Sequence, residues 1–176
     1  MMKGESQSKW IVGIAGSVLG FILSQLVTFY TVSVTLDTTR KIESLRLATE
    51  LSRHFYSDPT FKDVRMAIES CEKLYKSWGG QFDHDQLNSY LGYFDDLGFY
   101  VKDGALDIQT IDHWYGAYII EAYEYNELRK YVETMQRKSR QKQALADFQS
   151  LAKELENLPQ RQELIELARR GCSDGL

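Results

Sequence analysis

From Trp10 to Leu36 the chain runs WIVGIAGSVLGFILSQLVTFYTVSVTL without a charged residue. At about 1.5 Å per helical residue, a run of this length exceeds the roughly 30 Å hydrocarbon core of a bilayer. It predicts a transmembrane helix over residues 10–36. A buried core helix is the plainer alternative, but soluble helices rarely extend this far without a charge. A cleaved signal peptide is the other rival, since Lys3 and Lys9 form a short basic start. The run is longer than a signal core of about 7–15 residues, and no A-x-A-like site closes it.

The run divides the chain into a short tail (1–9), the span (10–36), an amphipathic stalk helix (37–57), a helical core domain (58–136) and C-terminal helices (137–176). The fold class expected is all-α, with the membrane helix continuing into the stalk and then a cytoplasmic bundle of about five helices. Lys3 and Lys9 precede the span, whereas Arg40, Lys41, Arg46 and Arg53 follow it. This bias predicts a single-pass protein of the inner membrane whose C-terminal domain faces the cytoplasm. Cys71 and Cys172 are the only cysteines. One falls in an amphipathic pattern and the other near the chain end, so no disulfide framework or zinc spacing is expected, and a reducing compartment fits.

Within the span, Gly16, Gly20, Ser24 and Thr28 recur every four residues, with Gly13 close to their start and Gln25 near the middle. Small residues let two backbones approach, and an amide in hydrocarbon seeks a partner across a helix interface. These residues predict a homo-oligomer formed through the span. Small polar residues are also common in membrane helices generally, which is the simpler explanation.

In the stalk, Ile42, Leu45, Ala48, Leu51 and Phe55 fall at helical spacing, and no glycine or proline interrupts the chain until Ser57-Asp58-Pro59. Asp58 and Pro59 then mark a helix start. Phe61, Val64, Ile68, Cys71, Leu74, Tyr75 and Trp78 form its apolar face, and Gly79-Gly80 is its predicted stop. On that face Cys71 is expected to be a small core residue. A short helix follows from Asp83, buried through Leu87, Tyr90, Leu91, Phe94 and Leu97, with Gly98 as its stop. A long central helix starts at Asp107 and carries Ile108, Ile111, Trp114, Tyr115, Tyr118, Ile119, Ala122, Tyr125, Leu128 and Val132. The five tyrosines from Tyr115 to Tyr131 suit core packing better than an aromatic ligand pocket. Two further helices are marked by Leu145, Phe148, Leu151, Ala152 and Leu155, and by Leu164, Ile165, Leu167 and Ala168 after Pro159.

Formal net charge is −4, and the first 36 residues carry +1, leaving −5 on the remainder. That balance argues against nucleic-acid binding. Arg137, Lys138, Arg140 and Lys142 are a possible contact with anionic lipid, although a solvated helix end explains them as well. His54, His84 and His113 have no partners at metal-site spacing. Asp83-His84-Asp85 is better read as helix capping than as a metal site. Placing Gly104 at the sixth position of a calcium loop would put Phe99, Val101 and Thr110 where oxygen-rich ligands are needed, so calcium is not expected. No phosphate-binding glycine loop or nucleophile elbow is present. The chain is expected not to be an enzyme and to take no cofactor.

The hairpin LNSYLGYFDDLGFYVKDGALDIQTIDHWYGAYIIEAYEY joins an aromatic-rich short helix, a glycine-containing connection and a tryptophan-tyrosine long helix. With its flanks, from about Phe61 to Gln136, it resembles the bacterial family known as domain of unknown function 4760. The resemblance implies a small helical module, often behind an N-terminal membrane helix, and brings no catalytic residues. The expectation is therefore a membrane-anchored interaction module that self-associates and binds a cytoplasmic protein partner. The alternatives are a membrane-disturbing effector, for example in bacterial phage defence, and an enzyme with an unrecognised site around Asp83, Glu121 or Glu124.

Overall fold

The computed structural model describes residues 41–138 and 143–172, together with Ser24, Gln25, Thr28, Tyr30, Thr31, Val32, Thr35, Thr38 and Thr39. The chain divides into two compact units, Met1–Arg46 and Leu47–Leu176. Every described residue of the first unit is helical. Among the described residues no helix is long and apolar enough to cross a membrane. The predicted span falls mostly outside the described residues, including Gly13, Gly16 and Gly20.

The second unit is all-helical among its described residues, as expected. Helix α1 (47–57) leads to α2 (Pro59–Glu69), α3 (His84–Lys102), α4 (Ile108–Glu124), α5 (Asn126–Lys138), α6 (Ala146–Glu156) and α7 (Gln162–Gly171), with 3₁₀ turns at Lys76–Trp78 and Pro159–Arg161. Three starts are set by the predicted aspartates. Asp58 accepts from the amides of Thr60 and Phe61, Asp83 forms a capping box with Gln86, and Asp107 accepts from Thr110. Each carboxylate satisfies amides that the first helical turn leaves without partners.

The stops differ from expectation. Helix α2 ends well before Gly79-Gly80, because Cys71 adopts φ 55° while Glu72 N donates to Ala67 O (2.9 Å) and Cys71 N to Ile68 O (3.0 Å). This is a Schellman closure with cysteine in the left-handed position that glycine normally takes. Helix α3 runs through Gly98, whose missing side chain makes room for another helix: a Cβ there would stand 2.4 Å from the Asp147 carbonyl oxygen. The long helix from Asp107 breaks at Tyr125 (ψ 114°), whose hydroxyl donates to Glu72 O at 2.6 Å.

The cysteine expectation is overturned outright. Cys71 and Cys172 form a disulfide with a Cα–Cα distance of 5.4 Å, joining the end of α2 to the residue after α7. Cys71 is therefore no inert core residue, and the agreement between free thiols and a reducing side disappears.

The core centres on Phe55, fully buried, with Tyr93 stacked at 5.2 Å, Tyr115 edge-on at 5.5 Å and Phe94 at 5.6 Å. The Tyr93 hydroxyl donates to Leu51 O at 2.8 Å, so the buried phenol keeps a partner. The guanidinium of Arg65 lies 4.5 Å from the Phe55 ring centroid and about as close to Tyr118, at 5.1 Å. Of the predicted stalk face, Ala48 and Phe55 are buried, whereas Ile42 and Leu45 are exposed. Trp114, expected inside, is also exposed.

Candidate functional site

The site grows from the connection between α2 and α3. Glu127, in the first turn of α5, accepts hydrogen bonds from Leu74 N (2.9 Å) and Tyr75 N (2.8 Å). The strand-like segment is closed on itself by Phe82 N to Leu74 O and Lys76 N to Phe82 O, both 2.7 Å. Between these bonds Gly79 takes φ 90°, and Gly80 packs so tightly that a Cβ would meet the Leu74 carbonyl carbon at 2.3 Å. Alanine at Gly80 would push the turn apart. The glycines expected to stop a helix thus build a tight loop that presents Tyr75 and Trp78 against α5.

The result is a half-open cleft of about 340 Å³ lined by Tyr75, Ser77, Trp78, His84, Tyr131, Thr134 and Met135. Its walls are rings packed edge to face: Tyr75 stands 5.0 Å from Trp78 and 5.2 Å from Tyr131. Lys130 Nζ lies 4.9 Å from the Trp78 ring centroid. At the α3 end, Tyr131 Oη is 2.8 Å from His84 Nδ1 and 3.1 Å from the His84 carbonyl oxygen. One arrangement satisfies both contacts, with Nδ1–H donating to the phenol and the phenol donating to the carbonyl. Burial above all, then Tyr75, Asp85 and Asp83, push the Tyr131 phenol above its ordinary range. It therefore stays a neutral donor at any physiological pH. The cleft is equipped to hold a ring or an aliphatic chain with a polar edge.

A smaller, polar pocket of about 200 Å³ lies where α4 meets α5 and α7, lined in part by Glu124, Arg129, Arg169 and Cys172. The buried Glu124 carboxylate is held by Arg129 (2.8 Å) and Arg169 (2.9 Å), and Arg169 also reaches Glu156 at 3.1 Å. Burial works to raise the Glu124 pKa, but Arg169, Glu156 and Arg129 outweigh it and hold the carboxyl below its ordinary range. Glu156 moves the other way, raised by its burial and by Glu124 beside it.

The acidic residues of the enzyme alternative take separate roles: Asp83 caps α3, Glu124 anchors arginines, and Glu121 is raised by burial and by Glu69. Among the described residues no group of three His, Cys, Asp or Glu side chains is placed to hold a metal. His54 packs edge-on to Phe61 and His113 to Trp114, while His84 joins the cleft. Of the basic stretch, Arg137 is exposed and 3.5 Å from Glu133, and Lys138 ends α5; Arg140 and Lys142 lie outside the described residues. Ser24, Gln25 and Thr28 are helical and exposed.

A family match, described as a domain of unknown function (DUF4760), spans residues 18–155. The chain belongs to this family. The match is wider than the hairpin that carries the resemblance in sequence, reaching back into the uncharged run and forward to the last turn of α6. The DUF4760 match thus takes in the cleft and Glu124, and stops before α7 and Cys172. Comparison with curated proteins and with solved structures finds no match.

Proposed function

We propose that this chain is a membrane-tethered helical module that self-associates through its N-terminal helix and binds a protein partner in the aromatic cleft. The observation that carries the reading is a stripe in the first unit. Ser24, Thr28, Thr31, Thr35, Thr38, Ile42 and Leu45 alternate in steps of four and three, and all are exposed. That is the seam of two helices packed side by side: small residues where backbones approach closely, then larger apolar ones further along. Thr28 and Thr35 donate their hydroxyls to the carbonyls of Ser24 (2.9 Å) and Thr31 (2.8 Å), which suits a helix whose polar groups have no water. Lipid covers the uncharged run, a second copy covers the seam, and the Lys and Arg bias sets the C-terminal unit in the cytoplasm.

Photo-crosslinking from position 38 of the full chain in native membranes tests this. The expected product is a dimer that disappears when Ile42 and Leu45 are both replaced by Lys. A chain that stays monomeric in the membrane, or that partitions into the aqueous fraction after gentle lysis, overturns the proposal.

A further inference from the structure

Helix α7 buries fewer side chains, among the described residues, than any other α-helix of the bundle. Among the described residues it sinks one side chain fully, Ile165, with Leu164 and Ala168 partly buried and Leu167 exposed. Its other ties include the Gln162 side-chain amide donating to Glu156 O at 2.8 Å, the Arg169 contacts to Glu124 and Glu156 and, one residue past its end, the Cys71–Cys172 bridge. Both cysteines are half-buried, within reach of a small oxidant or reductant. Cys71 occupies a left-handed backbone position at φ 55°, where glycine would fit without strain. The turn therefore gives no reason for a cysteine at that position, whereas the bridge does.

We propose that Cys71 and Cys172 form an oxidant-responsive latch that fixes α7 over the Glu124 pocket when bridged and lets it detach when reduced. Reversibility rests on the cytoplasmic orientation proposed above, because disulfides in a reducing compartment are transient and often redox-sensing. The oxidant is a peroxide. One thiolate attacks the peroxide, an S–O bond forms as the O–O bond breaks, and hydroxide leaves to become water. The second thiolate attacks the sulfenic sulfur, the S–S bond forms, the S–O bond breaks, and a second water is released. Two thiols are oxidised and one peroxide is reduced; a dithiol reductant reverses the change by exchange. Detachment uncovers the α4–α5 junction around Glu124, Tyr125 and Arg129, which line the pocket beneath α7.

Amide hydrogen exchange on the purified full chain reads the latch directly. After hydrogen peroxide, residues 162–171 should exchange at least tenfold more slowly than after dithiothreitol, with α3 and α4 unchanged. Cys71→Gly keeps the turn and removes the sulfur, so it should match the reduced state under both treatments, as should Cys172→Ser. Equal exchange with and without the bridge overturns the latch. In cells, rapid acid quenching and thiol alkylation should find two free thiols before peroxide and none after. A bridge already complete in unstressed cells overturns reversibility together with the orientation. Free thiols combined with indifferent α7 exchange overturn the latch alone.

Discussion

Helices α6 and α7 follow one another in the chain and are held by different physics. Helix α6 buries Phe148, Leu151, Ala152 and Leu155, stacks Phe148 on Phe94 at 6.0 Å, and has its backbone seated against Gly98. Even its first turn is closed from outside. Leu145 offers no capping oxygen at φ 60°, and Asp95 of α3 accepts from Phe148 N at 2.8 Å instead. Helix α7 buries only Ile165 fully and adds to it arginine–glutamate contacts with Glu124 and Glu156 and a covalent bridge close to its end. A proton or a reductant releases a charge contact or a disulfide one at a time, whereas apolar burial yields only to a denaturant that acts on the whole fold. The DUF4760 match ends at the last turn of α6, so α6 lies within the family pattern and α7 outside it.

The contrast breaks most visibly at Phe148. Phe148→Ala should cost about 3–5 kcal/mol of global stability, as large-to-small aromatic core changes do, seen as a lower urea midpoint for the whole second unit. If instead only residues 146–172 lose protection while α1–α4 keep theirs, α6 is as detachable as α7 and the comparison fails.

A smaller effect is expected at Gly98. Adding one methyl in Gly98→Ala forces α3 and α6 apart at the Asp147 carbonyl, for about 1–3 kcal/mol as overpacking changes do. Urea denaturation should show that loss. An unchanged midpoint would mean that the close approach of the two backbones is not what seats α6.

Which of these features the sequence could disclose follows from how local their chemistry is. Asp58, Asp83 and Asp107 are legible because a cap is made within four residues. The stops depend on residues far away: Gly98 reads as a terminator until Asp147 is seen beside it, and nothing in the sequence around Tyr125 announces that its hydroxyl will reach Glu72. Tyr75 and Trp78 fit a helical face by spacing, so their place in a cleft emerges only when Glu127 is found holding Leu74 and Tyr75. The bridge is the clearest case, since cysteines 101 residues apart become partners only through the packing of α7. The Ser24–Leu45 stripe lies between these extremes: its first two members stood in the every-fourth-residue pattern, and its continuation changes step to threes and fours.

Acid separates the two helices more gently than mutation. Burial, partly offset by the amide of Phe148, raises the Asp95 pKa above its ordinary 3.8. A carboxyl raised by folding binds its proton more tightly in the folded chain, so protonating Asp95 on the way down favours the folded state. Glu124 has the opposite sign. Held below the ordinary 4.5, it contributes stability that is present above that value and lost as pH falls through its lower folded value. Glu156, raised by burial and Glu124, takes its proton earlier; like Asp95 it then favours the folded state, so the loss is carried by Glu124 alone. Arg129 and Arg169 are about half exposed, at 46% and 58%, so solvent screens the loss and it should be smaller than either mutation. Amide exchange on the reduced chain should therefore show residues 162–171 losing protection as pH falls below 4.5, while residues 146–156 keep theirs. Loss of α6 protection first would show that the Asp95 cap, rather than the Glu124 anchor, is the acid-sensitive joint.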